Sequence, residues 1–172
     1  MPAAAMPIRI LIDYDIPGLF ATERDRREVL RAAWADCGQE WHKNYLPRHF
    51  RRGADTRYGY RPRTAAYAKR KLRDAKHGRA IEGGTTPLVY SGQFRRTLTQ
   101  SATIRGFPSR FSVEMQSPSY APQRQRTPKQ PPLVEEAFRL RAEEQEQLAN
   151  YLAERITFHN ERVRQRRRVR LG

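Results

Sequence analysis

The sequence predicts an α+β fold: a small antiparallel sheet flanked by a long N-terminal helix, a short basic helix and a C-terminal helix, with extended loops or arms. Two kinds of pattern carry that expectation. Ile8, Ile10 and Ile12 alternate with Arg9 and Leu11, and Arg110 to Met115 alternates polar and apolar residues, the period of a strand with one buried face. Longer segments repeat apolar residues every three or four positions, the period of an amphipathic helix.

In chain order, the first strand ends at Asp13, and Pro17-Gly18 breaks the chain behind it. Thr22-Glu23-Arg24-Asp25 has the form of a capping box, and Leu30, Ala33, Trp34, Cys37, Trp41 and Tyr45 follow at helical spacing. A helix is therefore expected from about Thr22 to Leu46, with Pro47 as its stop. Gly53, Gly59 and Pro62 make the next segment a loop or arm. With Thr64 as N-cap, a second helix runs to about Lys76, presents Ala65, Ala68 and Leu72 on one face, and stops at Gly78. Residues 81–86 read as a flexible link, Leu88 to Tyr90 as strand-like, and Ser91-Gly92 as a turn, with glycine there to allow positive φ. Phe94 to Arg105 fits either a short helix or a strand. Gly106 to Ser109 closes a hairpin onto the Arg110 strand.

Residues 117–132 are rich in proline and glutamine and carry no acid, the composition of an extended arm. Leu140, Leu148, Tyr151, Leu152 and Ile156 define the last helix, with glutamates near its start where the helix dipole favours them. The expected organisation is one domain over residues 1–160, with 47–63 and 117–132 as loops or arms, and a basic tail over 161–172.

The chain has 172 residues and a net charge of +16. Its mean hydropathy of -0.90 is low for a self-sufficient globule, so part of it is expected to order against neighbours. Charge is polarised. Trp41 to Ala80 carries thirteen Lys or Arg against Asp55 and Asp74, whereas Leu133 to Glu161 carries seven Glu against three Arg. Such a chain is suited to pairing head to tail with copies of itself, and its basic part to phosphate or an acidic protein surface. The lone Cys37 falls on the apolar helix face and reads as a small buried hydrophobe. The N-terminus lacks the basic region of a signal peptide, and no apolar run reaches the length of a membrane span.

Little in the chain points to catalysis. His42, His49, His77 and His159 have no metal-ligand spacing, and His42 and His49 read as surface imidazoles in a basic region. Gly83-Gly84-Thr85-Thr86 lacks the Gly-Lys ending of a phosphate loop. The pairs Asp13/Asp15 and Glu135/Glu136 are the carboxylates a divalent ion would need for phosphodiester cleavage, though neighbouring carboxylates are ordinarily solvated. No cofactor or metal site is expected.

The richest stretch mixes aromatic and basic residues: Arg57, Tyr58, Tyr60, Arg61, Arg63, Tyr67, Lys69, Arg70 and Lys71. These suit a protein interface, where Tyr and Arg are enriched, or a single-stranded nucleic acid stacked on rings and neutralised by cations. A second basic group, Arg162, Arg164, Arg166, Arg167, Arg168 and Arg170, ends the chain.

Four features in order give a resemblance. An amphipathic N-terminal helix is followed by Tyr60-Arg61-Pro62-Arg63-Thr64 leading into Lys69-Arg70-Lys71, then by Leu88-Val89-Tyr90-Ser91-Gly92-Gln93-Phe94, then by Tyr120-Ala121, Pro131-Pro132 and a Glu-rich terminal helix. That order resembles the virion morphogenesis and tail-completion proteins of tailed bacteriophages, including the minor tail protein Z type. The tightest part is the turn motif Leu88, Tyr90, Ser91, Gly92 and Phe94. The resemblance implies a non-enzymatic structural protein that forms a ring in the neck, completing the tail or joining it to the head. It implies neck, connector and tail-tube proteins as partners, possible contact with genomic DNA in the lumen, no membrane, and a place in the virion after assembly in the host cytoplasm. A basic nucleic-acid-binding protein is the alternative.

Overall fold

The computed structural model describes residues 5–8, 19–78, 86, 88–89, 91–100, 102–115 and 133–171. The fold is α+β. Its elements are β1 (Ala5–Ile8), α1 (Glu23–Glu40), α2 (Ala54–Tyr58), α3 (Ala65–Lys76), α4 (Gln93–Gln100), β2 (Ala102–Phe107), β3 (Arg110–Met115), α5 (Leu133–Ala137) and α6 (Ala142–Leu171). The chain sorts into two compact units, one built chiefly from residues 42–102 and 115–141, the other from 5–41, 103–114 and 142–172.

The second unit holds the sheet, with strand order β1-β3-β2. β1 runs antiparallel to β3, placing Ala5 opposite Glu114 and Ile8 opposite Phe111. The first strand thus begins earlier than the isoleucine alternation suggests, and Ile10 and Ile12 lie outside the described residues. β2 and β3 form the expected hairpin around Pro108 and Ser109. α1 is capped as its sequence predicts: the Thr22 side chain accepts a hydrogen bond from the Asp25 amide.

Val29, Leu30, Ala33, Trp34 and Cys37 of α1 are buried, as are Phe111 and Val113 of β3 and Leu148, Leu152 and Ile156 of α6. The Phe111 ring lies 6.2 Å from that of Trp34 and 6.4 Å from that of Trp41, both tilted. Two glycines set how closely sheet and helix approach. A Cβ on Gly38 would stand 2.6 Å from Ile104 Cγ2, and one on Gly106 would run into the Arg31 carbonyl oxygen. The Cys37 thiol, wholly buried as expected, donates to the Leu148 carbonyl oxygen at 3.8 Å.

The α6 helix is 30 residues long, so the arginines at its end form its last turns and not a separate tail. Asn160 and Arg164 donate to the Leu19 carbonyl oxygen, Arg166 reaches Glu28 at 2.9 Å, and Arg167 reaches Asp25 at 2.7 Å. Acids in the first turns of α1 supply the counter-charge that keeps these turns helical. Deeper in the pair, Asp36 accepts from Arg155 at 2.6 Å and from His159 at 2.8 Å.

In the first unit, Pro47 does not stop the helical chain. From Trp41 to Tyr45 it widens into a π turn, and Leu46–Phe50 tightens into a 3-10 turn with proline in its opening position. Proline is tolerated there because that N–H would have no helical partner. The 3-10 turn is the hub of this unit and contacts α2, α4 and α5. Residues 47–63 are correspondingly packed, not an extended arm: His49, Phe50, Ala54, Tyr58 and Tyr60 are all buried. Enough apolar and aromatic surface lies in this segment for it to form a core between its glycines, Gly53 and Gly59, which take positive φ at either end of α2.

The ambiguous segment resolves as α4 followed by β2, with the Phe94 ring edge-on to Phe50 at 6.0 Å. Leu88 to Tyr90 is not a strand as far as it is described, because Leu88 holds a φ of 57, outside the β region. The expected arm at residues 117–132 and most of the link at 81–86 lie outside the described residues. No described helix is long and apolar enough to cross a membrane.

Candidate functional site

The residues singled out in the sequence fall on two structures, a basic cleft in the first unit and the arginine end of α6 in the second. The cleft encloses about 420 Å³ and is lined by Asp55, Thr56, Tyr60, Arg61, Pro62, Arg63, Tyr67, Ala68, Lys71, Thr86 and Leu88. It forms where the chain leaves α2 through Gly59, runs extended to Thr64 and turns into α3. Thr64 caps α3 as predicted, accepting from the Tyr67 amide at 3.2 Å.

A buried carboxylate holds the extended piece in place. Glu136, fully buried on α5, accepts the Arg61 amide at 3.0 Å and both Arg63 guanidinium nitrogens, at 3.3 Å and 2.5 Å. This arrangement is incompatible with Glu136 serving a divalent ion alongside Glu135, because its oxygens are already committed to cationic and amide donors. Asp13 and Asp15 lie outside the described residues. Arg139 adds a second clamp from the same side, donating to the Tyr58 and Gly59 carbonyl oxygens.

Aromatic residues of the run are consumed by packing. The His49 ring stacks on Tyr58 with centroids 3.8 Å apart and planes 17° from parallel, and its Nδ1 shares a hydrogen bond with the Tyr60 hydroxyl. His49 is thus the centre of a buried aromatic stack and not a surface imidazole. Burial, with a smaller push from Tyr58 and Glu136, raises the Tyr60 hydroxyl far above its ordinary 10.0. Tyr58 and Tyr60 are both buried, so little of either ring is open to a base or a partner. Tyr67 is half-buried with the Arg70 guanidinium 5.6 Å from its centroid. His42, half-buried, hydrogen-bonds the Leu98 carbonyl oxygen at 2.9 Å.

Basic residues of the run divide. Lys71 is buried and its ammonium donates to the Thr86 carbonyl oxygen, whereas Leu72 beside it is half exposed. The apolar face expected for α3 is therefore turned: Tyr67, Lys71, Asp74 and Ala75 face inward, and Ala65, Ala68 and Leu72 face out. Arg57, Arg61, Lys69 and Arg70 are exposed and Arg63 is held by Glu136.

The turn motif is formed as far as it is described. Gly92 has a φ of 75, the left-handed backbone for which glycine was expected, and its carbonyl oxygen accepts the Arg96 amide as α4 begins. Ser91 is exposed, its hydroxyl 3.5 Å from the Gln93 amide, and Phe94 is buried. Leu88 packs against the Ala54, Tyr58 and Tyr60 cluster. Tyr90 lies outside the described residues.

No family model, curated protein or solved structure matches this chain.

Of the arginines ending α6, Arg164, Arg166 and Arg167 bind within their own unit, while Arg162 lies 5.6 Å from the exposed Phe158 ring and Arg168 is exposed. For Arg170 only its place in the helix is described. Sequence reasoning missed Arg139, and it named Glu136 and His49 without their roles as buried clamp and centre of the aromatic stack. Glu136 did leave a signal, since it stands three residues after Leu133 and next to Ala137, where an amphipathic turn would carry an apolar side chain.

Proposed function

We propose that this chain is a non-enzymatic structural protein of a tailed-phage virion, assembling as a ring in the neck where it completes the tail or joins it to the head. The observation that carries the reading is the Leu88 to Phe94 turn. Two positive-φ positions, Leu88 and Gly92, bracket the motif, one seated on the aromatic cluster and the other launching α4. A residue such as leucine takes that conformation at a cost of roughly 1–3 kcal/mol, so its packing on the aromatic cluster is what holds it there. The order of elements around it supports the same reading: amphipathic helix, basic helix, turn motif, hairpin, glutamate-bearing terminal helix.

Expected partners are further copies of the chain together with connector and tail-tube proteins, met through charge. The test is to tag the chain in the phage or prophage that carries it and label purified particles with gold. Label at the head-tail joint supports the proposal; particles without the protein reject it.

A second reading, a nucleic-acid-binding protein, draws on the exposed cations of the first unit, Arg51, Arg52, Arg57, Arg61 and those of α3. It requires affinity for DNA or RNA whose logarithm falls by about 0.7 to 0.9 per phosphate contact per log unit of salt. Arg166 and Arg167 contribute little to it, being paired with Glu28 and Asp25.

A further inference from the structure

Two helices carry solvent-facing charge stripes of opposite sign. On α6, Glu143, Glu146, Glu154 and Glu161 are all exposed, and their spacings return them to one side of the helix. The buried stripe, Glu144, Leu148, Leu152, Ile156 and Val163, occupies the other side. On α3, Lys69, Arg73 and Lys76 recur at i, i+4 and i+7, all exposed, with Arg70 beside them and Tyr67, Lys71 and Asp74 turned inward. Among the described residues Arg73 pairs with its neighbour Asp74, at 3.5 Å. Glu146, Glu154, Glu161, Lys69 and Lys76 have no ion-pair partner among the described residues.

We infer that these stripes are the two halves of one contact between copies of this chain, the basic face of α3 in one copy docking on the glutamate face of α6 in the next. The inference rests on the proposal that copies associate, and names the surfaces through which they do. Charge decides the occupant. A chain carrying +16 repels its own copies everywhere except where it presents acid. Two other exposed glutamates are already neutralised at home, Glu23 by Arg26 and Arg27 and Glu28 by Arg166, and Glu135 is a single exposed carboxylate on the five-residue α5. The α6 stripe is where a second copy is attracted. A nucleic acid would account for the basic stripe and leave the acidic one unexplained; a second copy accounts for both. Because the patches differ, the contact can repeat head to tail from copy to copy, the heterologous kind that builds rings or filaments.

The experiment is charge exchange, read as oligomeric state of the full chain by sedimentation at low salt. One variant carries Glu146→Lys, Glu154→Lys and Glu161→Lys; the other carries Lys69→Glu, Arg73→Glu and Lys76→Glu. All six side chains are exposed, and far-ultraviolet circular dichroism checks that helix content is kept. Each variant alone is expected to associate at least roughly tenfold more weakly than the unchanged chain, and an equimolar mixture to recover association. Raising salt from about 0.1 M to about 1 M, which shortens the screening length from ~10 Å to ~3 Å, should weaken both the unchanged chain and the rescued mixture. Variants that associate like the unchanged chain overturn the stripe contact while leaving association intact. An unchanged chain that stays monomeric at every concentration overturns the ring reading along with it. Loss of DNA binding by the α3 variant with association unaltered assigns that stripe to nucleic acid and overturns the inference.

Discussion

Glu136 ties α5 to the extended piece that leads into α3. Its carboxylate is fully buried between the Arg61 amide and the Arg63 guanidinium. Glu136→Ala is expected to cost about 3 kcal/mol, the lower end for breaking a buried pair because Arg63 keeps part of its side chain in water; denaturant unfolding measures it. Cys37 gives a prediction in pH. Desolvation first, then the Glu40 and Asp36 carboxylates, push its thiol from 9.0 up to about 12. Above the ordinary thiol value the unfolded chain sheds a proton that the folded chain keeps, so this contribution is complete below pH 9.0 and declines as pH rises toward about 12. Stability of the unchanged chain should fall relative to Cys37→Ala by up to roughly 1.4 kcal/mol per pH unit in that window. Identical pH dependence would contradict the burial. The burial of Cys37 was legible because the helix period places it among Ala33, Trp34 and Trp41. The burial of His49 and Lys71 was not. Each is polar by composition and meets in the interior a partner distant from it in sequence, Tyr60 for one and the Thr86 carbonyl for the other.

At the level of elements, local chemistry read well and continuation read poorly. Thr22 and Thr64 cap their helices as the sequence indicates, because a cap needs only its own next three residues. Thr64→Ala should lower stability by about 1 kcal/mol. Pro47 misled, since whether proline ends a helix depends on how the chain before it is wound, and here a π turn delivers it to the start of a 3-10 turn. The inward face of α3 was misread for a related reason: hydropathy ranks Leu72 above Lys71, yet Lys71 is the side chain that reaches a carbonyl. Close approach of the hairpin to α1 left no periodic trace and shows only in Gly38 and Gly106. Gly106→Ala forces a Cβ onto the Arg31 carbonyl and is expected to cost about 1–3 kcal/mol, visible as a lowered denaturation midpoint. Gly92→Val places a β-branched residue at a φ of 75 and should destabilise the turn by at least about 1–2 kcal/mol.

For the whole molecule, the fold class was legible and charge polarity was its most useful companion. Alternation and helical periods gave the α+β reading, because burial on one face leaves its period in the sequence. The division into two compact units left no such trace, because the chain passes between them inside a continuous helical segment at Trp41 and His42. Nor did the terminal arginines announce their partners: Arg164, Arg166 and Arg167 hold α6 to the start of α1, the last two against Glu28 and Asp25. The first unit exposes basic side chains and α6 exposes a glutamate stripe, and the proposed role in the virion would use them to join copies and meet acidic neighbours. The most direct test of that account is electron microscopy of lysates from a phage or prophage with this gene cleanly deleted. Full heads beside unattached or overlong tails are the predicted result, and normal virions in the deletion lysate would contradict the account.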